Sequence, residues 1–394
     1  MDKRVLLLTF ILLVLSSNYV LAIDNESIST FPYEIVEKQL DNLNLDEITK
    51  TITKINSDTK GYFNNINFKS LIKGLITGER VLDPNEIIKG ILSIVMNEAI
   101  NNIDLLGKLL LLAIISAILV NLQNAFSNGS IATISNFVCY IILISIVIKS
   151  FIISMDIAKS TIDSMVVFMQ ALIPILITLL MAVGGITSSA LLNPMILGSL
   201  GIFSTLIKNI IIPLIFFSTI LGLVSKISDK VQINKISGLL REISVVALGV
   251  CLTVFMGIMS IQGATSSRVD GITIRTAKFA IDNFVPVVGG FLSDAMDTVV
   301  GCSMLLKNAM GVIGVIILFL VCIIPIVKLL SVIFIYRFTA AIIEPISDER
   351  VVEALNDVSK SLIILLGILI AVTVMFIITI TIIVGAGNIT LMMR

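Results

Sequence analysis

Histidine and tryptophan are absent from this 394-residue chain, and charged residues make up only 14 % of it. Without histidine, the chain has no imidazole metal site, no Ser-His or Cys-His catalytic pair and no histidine proton relay. Its four cysteines lie in apolar segments without CxxC spacing, which favours buried free thiols over disulfides or metal ligands. No segment matches GxxxxGK[ST], the loop that cradles nucleotide phosphates. We therefore expect a protein that holds no cofactor and is not an enzyme.

The charges that are present balance, with 27 basic and 27 acidic residues, so the chain has no excess of positive charge for binding nucleic acid. Hydrophobic residues make up 57 % of the chain and its mean hydropathy is +1.07. Soluble domains use about 45–50 % apolar residues. The composition therefore predicts an all-α polytopic integral membrane protein that contacts lipid and no nucleic acid.

The chain begins with the pattern of a signal peptide. Lys3 and Arg4 precede the apolar run Val5–Leu15, and the small-residue site Val20-Leu21-Ala22 follows. We expect a signal peptide over 1–22, with an uncleaved membrane anchor as the alternative. Residues 23–104 are the only long polar part, and their apolar residues recur at helical spacing. They predict a small soluble helical extracytoplasmic domain.

Seven segments after residue 104 have the roughly 17–25 mostly apolar residues that a transmembrane helix needs. They are 105–126, 131–154, 165–186, 195–224, 243–262, 309–336 and 361–386. We divide this region into two first transmembrane helices (105–160), a unit 161–262 and a second unit 263–388. The predicted fold is thus about seven transmembrane helices with one unusual segment, 284–306.

Segment 284–306 combines apolar sequence with residues that an ordinary transmembrane helix avoids. It contains Pro286, the pair Gly289 and Gly290, and the acids Asp294 and Asp297. Proline removes a backbone donor, and an acid at mid-bilayer costs roughly 2.5–3.5 kcal/mol. These residues predict a re-entrant or broken helix packed inside protein. A kinked helix with its acids at the aqueous end is the alternative.

Short sequence echoes separate the two units by a constant offset. AKSTID at 158–163 is followed 119 positions later by AKFAID at 277–282, and ISDK at 227–230 by ISDE at 346–349. The echoes favour an ancient duplication over chance matches in an Ile- and Leu-rich chain. Three membrane elements in each unit would invert the second copy relative to the first, as in many secondary transporters.

Lys208 lies near the centre of the apolar run 195–224, too far from either end to snorkel to the interface. Either the helix breaks between Lys208 and Pro213, or the lysine faces an aqueous or acid-lined interior, with Asp294 and Asp297 as candidate partners. The alternative is that these charges mark segment ends. Arg275 and Lys278 are candidates for contact with lipid phosphate or an acidic partner surface.

Several stretches together resemble one protein family. They are DGITIRTAKFAIDNFVPVVGGFLSDAMDTVVGCSMLLKNA (270–309), NLQNAF (121–126), STIDSMVVFMQALIPIL (160–176), VGGITSSA (183–190), RFTAAIIEPISDERVVEALND (337–357) and IIVGAGN (382–388). With these motifs the chain resembles the stage III sporulation protein AE family of endospore-forming bacteria. The similarity covers nearly all of 105–388 and is loose in 23–104.

The resemblance implies a subunit of a channel complex in the mother-cell membrane that surrounds the forespore. Its implied partners are other stage III sporulation proteins, including an ATPase and ring-forming subunits, and a forespore-side protein. The resemblance brings no catalytic residues with it. Our leading expectation is a subunit of a transport channel needed for late forespore development. Its candidate path or gating residues are Lys208, Pro213, Pro286, Gly289, Gly290, Asp294 and Asp297. The alternatives are a purely structural assembly platform, a permease that acts alone, and an intramembrane enzyme.

Overall fold

The computed structural model of the protein describes residues 33–41, 43, 45–58, 68–77, 84–125, 130–227, 233–284 and 289–392. The side chains of residues 33–35, 58, 84–87, 119–125, 130–133, 135–136, 264–294 and 387–392 fall outside this description. So does the predicted signal peptide, 1–22. Every regular element within the described ranges is a helix.

Eleven helices and one π-helical turn form the described structure. They are α1 (Tyr33–Asp41), α2 (Asp46–Asp58), α3 (Phe68–Thr77), α4 (Pro84–Asn101), α5 (Ile103–Ala125), α6 (Ser130–Ala182), α7 (Ile186–Leu206), the π-turn (Ile207–Ile211), α8 (Ile212–Ser225), α9 (Asn234–Phe284), α10 (Gly289–Ile343) and α11 (Glu349–Met392).

Five helical segments in the described ranges are long and apolar enough to cross a membrane. They are Phe137–Ala182, Ile186–Ser225, Asn234–Gly263, Ala295–Ile343 and Glu349–Ala386. The pair Ile88–Asn101 and Ile103–Ile118, bent by 40°, makes a sixth if it counts as one span. The predicted all-helical membrane fold is therefore confirmed, with five or six such segments among the described residues rather than the seven expected.

The difference in number arises because two of the seven predicted spans form one continuous helix, and residues 289–306 are also continuous with the span that follows them. Spans 131–154 and 165–186 are joined in α6, since the polar linker 155–164 contains no proline or glycine to interrupt the helical hydrogen bonds. Residues 289–306 continue into the next predicted span as α10. The re-entrant course of 284–306 stays a prediction. Pro286 itself lies outside the described residues.

A glycine pair ends α6 and starts the return helix α7. Gly184 has a positive φ of 94°, which glycine adopts without a steric penalty. Its amide donates to the Met181 carbonyl at 2.8 Å, while the Gly185 amide donates to the Leu180 carbonyl at 2.9 Å. This is the Schellman arrangement that terminates helices. It turns the chain so that α7 packs beside α6.

Helices α9 and α11 run in the same direction. Near their starts, Arg241 donates to the Ser361 hydroxyl at 3.3 Å. Further along both helices, a Cβ on Gly263 would lie 3.1 Å from the Ile382 side chain. Gly263 and Ile382 are 119 positions apart, the offset of the sequence echoes. The α9 and α11 pair is therefore parallel and not inverted; the duplication itself stays a prediction.

The N-terminal helices α1–α3 share one apolar core with the long helices. Ile48, Ile52 and Phe68 are buried in that core. A polar contact adds to the packing, since Gln39 Nε2 donates to the Ser303 hydroxyl of α10 at 2.9 Å. The polar part predicted over 23–104 thus contributes helices that lie directly on the bundle.

Candidate functional site

The chain near Lys208 forms a widened helical turn. The amide of Ile212 donates to the carbonyl of Ile207, five residues back, so Ile207–Ile211 is a π-turn between α7 and α8. Pro213 has no amide hydrogen and cannot satisfy the carbonyl four residues before it, which favours local rearrangement of the ladder. The helix is widened here rather than broken.

Lys208 projects from this turn to a carboxylate on α6. Its Nζ donates to Oδ1 of Asp163 in an ion pair. The Lys208 side chain is 26 % exposed and that of Asp163 is 56 % exposed. The pair therefore lies on the outer surface of the bundle and not in its core.

The ion pair lies halfway along the apolar segments. Asp163 is within four residues of the middle of Phe137–Ala182, and Lys208 is within four residues of the middle of Ile186–Ser225. A charge centred in a bilayer and facing lipid is expensive. Where this level of the bundle lies in the hydrocarbon core, the surface around the pair needs water or protein and not lipid as its neighbour.

The interior of the bundle at the same level is filled. Cys322 Sγ of α10 lies 3.1 Å from Sδ of Met165 and 3.1 Å from Oγ1 of Thr373. These three residues join α6, α10 and α11, and Phe168 is fully buried one turn from Met165. At this level the polar surface and the packed interior are on opposite sides of α6.

The polar helix α2 borders the ion pair. Lys54 Nζ donates to the hydroxyl of Ser164, the residue after Asp163, at 3.3 Å. On its other side α2 exposes Thr49, Lys50 and Thr53. Two independent features, the ion pair and α2, thus make this side of the bundle hydrophilic.

A second charged cluster lies at the end of the bundle where α9 and α11 begin. Lys226 donates to Glu353 at 2.7 Å and lies 3.0 Å from Asp357, and its side chain is only 7 % exposed. Lys360 and Arg241 also approach Asp357, at 3.3 and 3.9 Å. The cluster ties the end of α8 to α9 and α11.

The structure does not bring the predicted charged residues together as one site. Asp297 is 25 residues before Cys322 on α10, about 37 Å along the helix, whereas Cys322 contacts α6 next to Asp163. The hypothesised contact of Lys208 with Asp294 or Asp297 is thus corrected, because the acid that pairs with Lys208 is Asp163.

The other predicted positions fall at helix ends. Gly289 and Gly290 are the first residues of α10, with Asp294 in its second turn. Arg275 and Lys278 lie in the last part of α9. The roles expected of these residues stay predictions.

Comparison with known proteins identifies the family. The family model described as "Stage III sporulation protein AE (spore_III_AE)" matches residues 66–387. The chain is also 38 % identical over 361 residues to "Stage III sporulation protein AE" of Bacillus subtilis (strain 168), covering 92 % of this chain and 90 % of that protein. This chain belongs to the stage III sporulation protein AE family.

The stage III sporulation protein AE match includes the ion pair and segment 284–306, and it begins after α2. No solved structure matches the chain. Neither the family description nor the name of the relative states a reaction. The resemblance drawn from the sequence is confirmed by both matches.

Two features of this stage III sporulation protein AE family member were missed from its sequence. Asp163 lies in the polar linker between two predicted spans, so no sequence signal indicated that it pairs with Lys208. The cluster around Lys226 had no sequence signal beyond charges in polar loops, because Lys226 and Arg241 are more than 100 positions from Glu353 and Asp357.

Proposed function

We propose that this protein is a non-enzymatic membrane subunit of the transport channel that links the mother cell to the forespore and supports late forespore development. It would act in the mother-cell membrane around the forespore. Its partners would be other stage III sporulation proteins, including an ATPase that supplies energy, ring-forming subunits and a forespore-side protein. Membership of the stage III sporulation protein AE family is the basis for this setting.

The half-exposed ion pair between Asp163 and Lys208 carries the transport part of the proposal. A protein that only anchors others in a membrane has no need of charges on its outer surface midway along apolar helices. A protein that forms the wall of an aqueous path does need such charges, because water solvates the exposed carboxylate. The π-turn under Lys208 places the lysine opposite Asp163.

The test removes one charge of the ion pair at a time and keeps each side chain close to its original size. Asp163→Asn and Lys208→Met are produced in a sporulating strain that lacks the native gene, and heat-resistant spores and a late forespore reporter are counted. We expect each change to lower both by about tenfold or more, because each leaves one charge of the pair without its partner. The matched control is Lys360→Met, which removes a lysine from an exposed ion pair away from the apolar centre.

A structural assembly platform is the second candidate function, and the exposed charges around the α10–α11 turn favour it. Arg337, Glu344, Glu349 and Arg350 are exposed there, and the Asp348 carboxylate accepts a bond from the Arg350 amide at 3.0 Å. Co-purification of the other stage III proteins separates the candidates. A channel wall predicts that Lys208→Met keeps its partners and loses reporter activity. A platform predicts that both are kept.

The parallel course of α9 and α11 weakens the case for a permease that acts alone, since that case depended on inverted repeats. The reporter assay also addresses this alternative. A lone permease with an intact path would support the reporter when the partner proteins are deleted, whereas a channel subunit would not.

A further inference from the structure

One side of α6 exposes polar residues over a membrane-sized length. Asp156, Ser160, Asp163, Gln170 and Thr178 are all exposed and recur at helical spacing, with the exposed apolar residues Val167 and Pro174 between them. From Asp156 to Thr178 the helix rises about 33 Å, close to the roughly 30 Å thickness of a bilayer's hydrocarbon core. We define the polar face as these five residues together with Lys208, which reaches Asp163.

Other outer faces of the bundle are apolar. On α9 the exposed residues include Ile243, Val246 and Val250, and on α5 they include Leu111 and Ile114. Such surfaces suit lipid tails. The polar face differs from them at the same level of the bundle, so the two kinds of surface have different neighbours in the membrane.

A path for polar cargo at this level has to pass along the outside of a single chain. The Met165, Cys322 and Thr373 contacts at 3.1 to 3.6 Å fill the interior where Asp163 lies. A polar face on the outside of one chain is open on one side. A site of this kind is incomplete until another surface closes it.

We propose that the polar face is turned towards the same face of further copies of this chain, and that these copies together enclose an aqueous path. The inference rests on the proposed function and adds where the path is formed. Lys208 and Asp163 of each copy would then line that path, while the apolar sides of α5 and α9 contact lipid.

The charges on this side of α6 fit a second copy as the neighbour. Acids and bases are mixed here: Asp156 and Asp163 lie near Lys159, Lys208 and Lys54 of α2. A surface that meets its own copy presents the same groups on both sides, so a surface of mixed sign allows an acid of one copy to face a base of the other. Polar side chains on both sides also allow water between the copies.

The experiment uses full-length protein whose four native cysteines are replaced by serine, after spore counts show that this variant still works. Single cysteines are introduced by Ser160→Cys and Gln170→Cys on the polar face. The matched controls are Val250→Cys on α9 and Leu111→Cys on α5, both exposed and apolar. Two differently tagged copies are produced together. Native membranes are treated with a long bis-maleimide, or with a charged, water-soluble maleimide.

The expected result is a cross-linked pair carrying both tags from the polar-face cysteines, with at least tenfold more product than from either control. The charged maleimide is also expected to modify the same cysteines. Modification without a cross-linked pair would overturn the role of further copies but leave a wet channel wall. Cross-linking without modification would mean a dry interface and would overturn both the path and the proposed function. If neither cross-linking nor modification occurs, the surface faces lipid, and both the path and the proposed function are overturned.

Discussion

The lysine at the end of α8 gives the sharpest stability prediction. Lys226→Met keeps much of the side-chain volume and removes the cation that contacts Glu353 at 2.7 Å and Asp357 at 3.0 Å. Removing one partner of a fully buried pair costs about 3–5 kcal/mol. Here Glu353 is 54 % exposed, and Lys360 and Arg241 still approach Asp357. We therefore expect a loss of about 2 kcal/mol, below the fully buried range because water and the remaining cations screen the acids.

The measurement is unfolding of the purified protein in detergent micelles by titration with sodium dodecyl sulfate, followed by circular dichroism. Lys360→Met is the matched control, since its side chain is 60 % exposed and its pair with Asp357 is worth about 0–1 kcal/mol. Adding Asp357→Asn to Lys226→Met should recover part of the loss, because the two residues share one interaction. An equal loss of unfolding free energy for both lysine variants, or no loss for Lys226→Met, would refute the conclusion that this cluster is a buried set of ion pairs that stabilises the packing of these helices.

Gly314→Val should destabilise the protein by about 1–3 kcal/mol in the same titration, because a Cβ there would lie 2.5 Å from the Leu172 side chain, whereas Gly367→Ala has no atom within 4 Å and should not destabilise it. Cys302 and Cys322 are at most 1 % exposed, so a water-soluble maleimide should leave both unmodified in the folded protein and react after unfolding; mass spectrometry would show it, and rapid reaction of the folded protein would contradict the packing. Ile48→Ala should cost about 2–5 kcal/mol of α2 docking and speed proteolysis of α1–α3, while Thr49→Ala, on the exposed side of α2, should leave the cleavage rate unchanged.

Composition and apolar run lengths were enough to predict helices and a membrane setting, because both depend on local residue types. The position of helix ends was harder to predict. Segment 155–164 has the polarity of a loop, yet α6 continues through it since nothing in it prevents helical hydrogen bonding. Continuity of this kind is decided by packing on neighbouring helices, which a single sequence does not reveal.

The candidate site was predicted in part. Lys208 and Pro213 indicated that the helix changes there, and the π-turn lies at that position. The partner acid was misassigned, because pairing Lys208 with Asp163 requires the antiparallel register of α6 with the α7–α8 helix. That register is set by the glycine turn between α6 and α7 and by packing along both helices, not by any spacing within one segment.

Helix α6 has 53 residues and is about 80 Å long, more than twice the roughly 30 Å depth of a bilayer's hydrocarbon core. In a straight helix of this length, a small change in tilt produces a large movement of the two ends. A tilt of only 10° about its centre moves each end sideways by about 7 Å. Asp163 lies seven residues, about 10 Å, from the centre of this helix, so the same tilt moves it by only about 2 Å. A partner that pushes on either tip would therefore reorient the helix while the charged pair moves little.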